Sequence, residues 1–247
     1  MFRETVTSVH HWSDRTFSFC TSRDPAFRFN AGEFVLVGIR HAGKPILRAY
    51  SIVSPPWSDE LEFLSIKIAD GELTSRLQYI KEGDEILIAT KTTGTLRNAA
   101  LIPGANLWLL ATGTGLAPFM SLIRDLEILE AWSCIHVIHS VRDSTDLAYQ
   151  DQLTTAFSTC TETKHLHSII RPILHYQAIV TGAGDARITA QLASGALAID
   201  CAKDRVMLCG NMAFNREVAA WCEQKGMTEG SLRKPGDFVL EKAFVDT

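Results

Sequence analysis

The apolar residues of this chain change their spacing near residue 100, and no single layer of secondary structure holds both patterns. Upstream, short runs rich in Val, Ile, Phe, Thr and Leu occupy 5–11, 16–21, 33–40, 46–53, 61–67 and 85–90. Turn residues separate them, as in Asn30-Ala31-Gly32 and Glu82-Gly83-Asp84. Six short strands with regular turn punctuation predict an antiparallel barrel or sandwich. One interruption, 74–81, carries Leu77 and Ile80 at helical spacing. Downstream, strand patterns at 107–111, 135–140, 166–170, 206–209 and 238–240 alternate with helical patterns at 118–130, 149–157, 188–193 and 213–225. That alternation predicts a parallel sheet covered on both faces. The chain is therefore expected to form two domains, 1–100 and 101–247, joined within 95–104. Its 247 residues suffice for both. A barrel followed by an α/β domain places a cleft between them, and ligands favour such junctions and the C-terminal ends of parallel strands.

Composition removes several alternatives. Hydrophobic residues are 46% and charged residues 21%, as in soluble globular proteins, and the net charge of −4 offers no field for nucleic acid. No apolar run reaches the ~18 residues that cross a bilayer, and the start lacks the apolar segment of a secretory signal. A cytoplasmic monomer is the expectation. The six cysteines, Cys20, Cys134, Cys160, Cys201, Cys209 and Cys222, include no C-x-x-C pair and no plant-type cluster spacing. No metal is expected.

Four motifs carry chemistry. In Arg48-Ala49-Tyr50-Ser51, strand alternation puts Arg48 and Tyr50 on one face and Ala49 and Ser51 on the other. An Arg fork grips pyrophosphate, a Tyr ring lies against a flat heterocycle, and a Ser hydroxyl pairs with a ring nitrogen; an edge strand with an exposed Arg and a core Tyr reads the same. Asp70-Gly71-Glu72-Leu73-Thr74-Ser75 is a Gly turn entering a helix, with Thr74 or Ser75 at its cap: an anion site or a plain capped helix. Thr112-Gly113-Thr114-Gly115-Leu116-Ala117-Pro118 lies between an apolar strand and an amphipathic helix, the setting of a dinucleotide loop. It departs from the standard fingerprint in having Pro at the third glycine position. Leu208-Cys209-Gly210-Asn211-Met212 again joins a strand to a helix, which would bring Cys209 to the mouth of the sheet beside Gly113. The apolar tail Ala243-Phe244-Val245 is expected to dock rather than dangle.

In this order and spacing, these motifs and the tail resemble the bacterial ferredoxin–NADP reductase family over essentially the whole chain. The resemblance implies FAD and NADP(H) as cofactors and a ferredoxin or flavodoxin as carrier. It implies FAD contacts at Arg48, Ala49, Tyr50, Ser51, Leu64, Glu72, Leu73 and Thr74. Tyr50 would lie against the isoalloxazine, Ser51 near its N5, and Thr114 where both cofactors meet. Ala243 would face the flavin and Phe244 stack on its adenine; the terminal Lys of that family branch is absent. On the nicotinamide side it implies Gly113, Thr114, Gly115, Arg142, Thr181, Arg187, Cys209, Gly210, Asn211 and Met212. Hydride would pass between the nicotinamide C4 and flavin N5, with Ser51, Cys209 and Glu241 as the catalytic residues. Gly182 stands where the family reads the 2′-phosphate with Arg, which leaves NADPH against NADH open. Other readings are an NAD(P)H:flavin reductase releasing free reduced flavin, and a flavin-bearing sensor or electron-transfer subunit without its own turnover. Between residues 15 and 48, Arg15, Arg23, Arg28, Arg40, Lys44 and Arg48 outnumber Asp24 and Glu33, a local asymmetry suited to an acidic carrier or to a solvated face.

Overall fold

The computed structural model describes residues 1–241. The first half contains strands β1 (Phe2–His11), β2 (Thr16–Ser22), β3 (Phe34–His41), β4 (Lys44–Ser51) and β5 (Glu60–Ile66), a one-turn helix α1 (Thr74–Leu77), and β6 (Glu85–Thr93). They pair antiparallel in the order β4-β3-β6-β1-β2-β5. A bridge between Ile52 and Phe63 joins the continuation of β4 to β5, so the two edges meet and the sheet closes. Phe17, Phe19, Val37, Ile52, Phe63 and Ile88 fill its interior.

The second half runs β7 (Asn106–Thr112), α2 (Ala117–Leu122), α3 (Leu126–Ala131), β8 (Cys134–Val141), α4 (Gln150–Thr154), α5 (His167–Ile170), β9 (Leu174–Val180), α6 (Ile188–Ser194), β10 (Arg205–Cys209), α7 (Met212–Gln224) and β11 (Phe238–Leu240). The strands form one parallel sheet in the order β11-β10-β7-β8-β9. Successive side chains of β7 serve opposite faces. Leu107, Leu109 and Ala111 pack with α2 and α3, whereas Trp108 and Leu110 pack with α6 and α7. The direction of winding reverses between β7 and β10. The fold class expected from the sequence is the one observed.

Three local expectations are corrected. Residues 166–170 are helical, not a strand: Leu166 and Ile170 are buried at i, i+4 spacing while Ile169 is exposed, and the strand lies at β9, paired with β8 over seven residues. The helix expected over 118–130 is two helices, because Asp125 turns out of helical conformation and its carboxylate accepts from the Glu127 N–H to start α3. The helix expected over 74–81 is the single turn α1. Neither Thr74 nor Ser75 caps it: the cap position is Leu73, without a side-chain bond, and the Thr74 hydroxyl donates to the Ile68 carbonyl at 3.3 Å.

The two halves share a hydrophobic core. Ala31, Val53, Leu64 and Leu96 from the barrel side pack in one cluster with Leu116, Phe119 and Leu122 of the sheet side. Each fully buried Val, Leu or Phe among them contributes about 1.5–3 kcal/mol, so a handful fixes the relative placement of the domains. Polar contacts add direction. The buried Arg124 donates from Nη2 to the Val53 carbonyl at 2.5 Å, and the Ser121 hydroxyl to the Ser54 carbonyl at 2.8 Å. Arg15, on the β1–β2 turn, pairs with Asp143 and Asp146 of the loop after β8.

Tyr149 also crosses the junction. It sits in the left-handed region at φ 60°, and its hydroxyl donates to Glu62 Oε1 at 2.7 Å. Burial pushes the Glu62 carboxyl above its ordinary range, against the pull of Arg124 and of the Tyr149 hydroxyl. A carboxyl raised in the folded state takes stability away as pH rises from its unfolded pKa to its folded one, and loss of a donor deepens that loss. Tyr149→Phe should therefore cost about 1–3 kcal/mol at pH 8 and less at pH 5. Urea unfolding at the two pH values measures the difference, and an equal cost at both would remove the Glu62 charge from the account.

Candidate functional site

A cleft of about 1390 Å³ opens where the sheet reverses its winding, with the barrel as its other wall. From the barrel come Arg48, Ala49, Leu64 and Ile66; from the end of β7 comes Thr112 and from the loop after it Gly113, Thr114 and Gly115; from the loop after β10 come Gly210 and Asn211. A smaller hollow of about 440 Å³ at Trp12, Glu62 and Tyr149 includes none of the candidate residues.

The glycines of the cleft serve two purposes. Gly113 adopts φ +53°, and a Cβ there would meet nothing within 4 Å, so it is needed for conformation. At Gly115 a Cβ would stand 2.1 Å from the Cys209 carbonyl oxygen, and at Gly210 it would stand 2.2 Å from Thr112 Oγ1. These two let the loops after β7 and β10 touch. Pro118 lies in the first turn of α2, as its missing N–H favours. Asn211 caps α7, its side chain accepting from the Phe214 N–H at 2.9 Å.

Beneath the first loop lies a residue that no sequence motif marks. His139, on β8, is fully buried, and its Nε2 stands 3.0 Å from the Gly113 carbonyl oxygen. A carbonyl only accepts, so Nε2 carries the proton. Nδ1 is then a bare acceptor with no partner among the described residues. Burial lowers the ring's pKa to about 4, against the opposing pull of the Gly113 bond, so the imidazole is neutral in neutral solution. An isolated His in an apolar strand pattern carries no spacing that would have singled it out.

The residues of the RAYS segment separate. Arg48 is exposed at the cleft and pairs with Glu72, 2.6 Å away. Ala49 lines the cleft. Tyr50 is buried in the barrel core, edge-on to Phe63, with its hydroxyl 3.2 Å from Ser65 Oγ, and is not among the lining residues. Ser51 is 4% exposed, and its hydroxyl has no partner among the described residues. Leu64 reaches the cleft while packing in the shared core. Leu73 is buried in the barrel core, and Thr74 begins α1.

On the other wall, Arg142, Thr181, Gly182 and Arg187 all line the cleft. Thr181 and Gly182 are tied to the end of β8: the Thr181 hydroxyl donates to the Val141 carbonyl at 3.2 Å and the Gly182 N–H to the Arg142 carbonyl at 2.8 Å. A Cβ at Gly182 would stand 2.5 Å from that same Arg142 oxygen, so this backbone admits no side chain at 182. Met212 begins α7 outside the lining, whereas Ala213 and Phe214 are within it.

Cys209 adjoins the Gly115 loop as the strand pattern implies, yet it is fully buried and does not emerge at the mouth. Burial first, and then the Glu241 charge, pushes its thiol well above the ordinary range. It is a neutral thiol, not a nucleophile. Glu241 is buried as well. Its N–H donates to the Leu208 carbonyl at 3.0 Å, its carbonyl accepts from Asn215 Nδ2 at 3.1 Å, and its Oε2 accepts from the Thr95 N–H at 3.5 Å. Ala243 and Phe244 lie outside the described residues. Among those residues no His/Cys/Asp/Glu cluster could hold a metal, and no helix is long and apolar enough to cross a membrane.

Residues 5–95 match the oxidoreductase FAD-binding domain family and residues 109–220 the oxidoreductase NAD-binding domain family. Ferredoxin–NADP reductase A of Sorangium cellulosum is 45% identical over 251 residues, covering 98% of this chain and 89% of that protein. The flavodoxin/ferredoxin–NADP reductase of Rhodobacter capsulatus is 45% identical over 253 residues, covering 98% and 93%. A crystal structure of a ferredoxin NADP+ reductase from Neisseria gonorrhoeae with bound FAD and NADP superposes with a TM-score of 0.88 at 26% identity, covering 98% of both chains. A closed antiparallel barrel and a reversing parallel sheet around one glycine-lined cleft, together with full-length relatives at this identity, place the chain in the ferredoxin–NADP reductase family.

Proposed function

We propose that this chain is a cytoplasmic, monomeric FAD-dependent reductase that exchanges a hydride with NADP(H) and single electrons with a ferredoxin or flavodoxin. Residues 1–100 form its flavin half and 101–247 its dinucleotide half. The observation that carries the reading is the Ser51 hydroxyl, buried without a partner at the end of the strand whose Arg48 and Ala49 line the cleft. A buried hydroxyl with no partner costs about 1–3 kcal/mol, and a ring nitrogen of a bound cofactor would relieve that cost. Bound FAD would supply hydride exchange at N5 and one-electron steps toward the carrier.

The chain's own residues position and exclude. Arg48, held at the cleft by Glu72, offers its fork to a pyrophosphate, with Glu72, Leu73 and Thr74 contributing the neighbouring backbone. Ala49 and Leu64 form an apolar floor for a flat ring, with Tyr50 behind them. Gly113, Thr114, Gly115, Gly210 and Asn211 bring backbone close to the second nucleotide. Neutral Cys209, backed by Glu241, offers a nicotinamide an uncharged wall. Arg142 and Arg187 line the cleft and form no ion pair among the described residues. With Gly182 closed to any side chain, a 2′-phosphate falls to these two.

The carrier surface is narrower than the basic stretch suggests. Arg15 is spent on Asp143 and Asp146 and Arg23 on the carbonyls of Phe27, Pro56 and Ser58, while Arg48 faces the cleft beside Glu72. Arg40 and Lys44 flank the exposed β3–β4 turn; Arg40 donates to the Gly43 carbonyl at 3.1 Å, and neither forms an ion pair among the described residues, which leaves their charge for an acidic partner.

Three outcomes are expected. Purified protein is yellow, and anaerobic NADPH bleaches its flavin at lower concentration than NADH; a flavin that neither nucleotide reduces would sink the reading. Ser51→Ala slows flavin reduction by NADPH at least tenfold in stopped flow with FAD retained, and an unchanged rate would remove Ser51 from the chemistry. Arg187→Ala removes one charge-assisted bond, about 1.5–3 kcal/mol, and so raises the KM for NADPH roughly tenfold or more while leaving that for NADH nearly unchanged. Steady-state kinetics with a dye acceptor reads the ratio.

A further inference from the structure

We infer that His139 is a positioning residue for the dinucleotide loop: its Nε2–H holds the Gly113 carbonyl down against the sheet and so turns the next peptide N–H, that of Thr114, toward the cleft. This rests on the dinucleotide reading above.

The argument begins with peptide geometry. A trans peptide is planar, with its C=O and N–H pointing in opposite directions. The peptide between Gly113 and Thr114 therefore presents one group to the sheet and the other to the cleft. An anionic phosphate is welcomed by an N–H and repelled by a carbonyl oxygen. Which way this peptide faces decides whether the loop can receive a phosphate.

Side-chain packing does not hold the peptide. Gly113 has φ +53° and open space where a Cβ would be, and glycine peptides reorient easily. The Nε2–Gly113 bond, at 3.0 Å, is a side-chain contact that adds to the 3₁₀ turn Gly113–Leu116 in fixing the carbonyl. His139 is well placed to make it: β8 pairs with β7 so that His139 stands opposite Ala111, two residues before Gly113. The first N–H groups of the turn Gly113–Leu116 have no partner within the turn. They are what the cleft-facing side has to offer.

The ring's other nitrogen supports a dedicated role. Nδ1 is buried and unpartnered among the described residues, a penalty that an apolar residue at 139 would avoid. Imidazole here is retained for the donor it supplies. Its lowered pKa, about 4, keeps it neutral, so the ring carries a single proton, and the Gly113 carbonyl holds that proton on Nε2.

The test compares three variants in the FAD-loaded protein. His139→Gln carries an amide nitrogen at the reach of Nε2. His139→Asn carries one only at the reach of Nδ1, and His139→Leu carries none. NADP+ affinity is read by difference spectroscopy, and KM and kcat with NADPH and a dye acceptor. The Asn and Leu variants are expected to weaken NADP+ binding and raise KM at least tenfold while changing kcat less than threefold. The Gln variant should stay within threefold of wild type. Wild-type affinity in His139→Asn, or equal weakening in the Gln and Asn variants, would overturn the proposal and leave His139 a packing residue. The Gln–Asn comparison stands even if the Leu variant does not fold. A wild-type protein that binds no dinucleotide would overturn the functional reading instead.

Discussion

The pleat of one strand holds the site together. On β5, Phe63 points into the barrel core and Leu64 into the core shared with the sheet domain, as alternation along a strand requires. Leu64 also lines the cleft. The residue that glues the domains is thus part of the wall they enclose, and the cleft cannot widen without exposing apolar surface. Domains joined by polar contacts alone would be expected to swing. Here Phe119, Leu122 and Leu96 close ranks in that shared core, while Arg15 with Asp143 and Asp146 ties the rim and Tyr149 with Glu62 ties the domains at the separate, smaller hollow. Two flat rings meeting face to face need such fixity, because rates of transfer fall steeply with misplacement.

Much of this was legible in the sequence because periodicity survives translation into structure. The six upstream runs became six strands, and the alternation downstream became the parallel sheet, with Phe238–Leu240 ending where the pattern ended. The glycine loops were legible because glycine marks backbone constraint. What failed was local. Residues 166–170 offered an apolar run too short to tell strand from helix, and the outcome was decided by which segment could pair with β8. The break between α2 and α3 hung on a single carboxylate at Asp125. The basic stretch looked like a docking surface because sequence shows charge and not partners. Arg15 and Arg23 proved to be answering carboxylates and carbonyls far away in the chain.

The candidate site was legible as a list and not as an arrangement. Cys209 and Gly210 are neighbours in sequence, yet Cys209 is the sealed last residue of β10 and Gly210 opens the loop that lines the cleft. Tyr50 and Ala49 separate because adjacent residues along a strand face opposite ways. Gly182 looked like a missing arginine. In the structure it is a place where the loop after β9 presses against the Arg142 carbonyl, so restoring the arginine would first require moving the backbone.

Unsatisfied polar atoms complete the picture. Buried polar groups are nearly always paired, and each exception costs about 1–3 kcal/mol. Among the described residues the orphaned atoms include Ser51 Oγ, His139 Nδ1 and Asn215 Oδ1, and all three belong to elements that end at the cleft: β4, β8 and α7. Their costs differ in kind. The Ser51 hydroxyl can be relieved by a ligand, so its penalty in the empty protein becomes affinity when the cleft fills. The His139 Nδ1 has no partner among the described residues, and its penalty is the cost of holding the opposite nitrogen on the Gly113 carbonyl. A core selected for stability alone would have replaced both, and their presence on strands that end at one opening is what a site for two ligands, one gripped by side chains and one by backbone, requires.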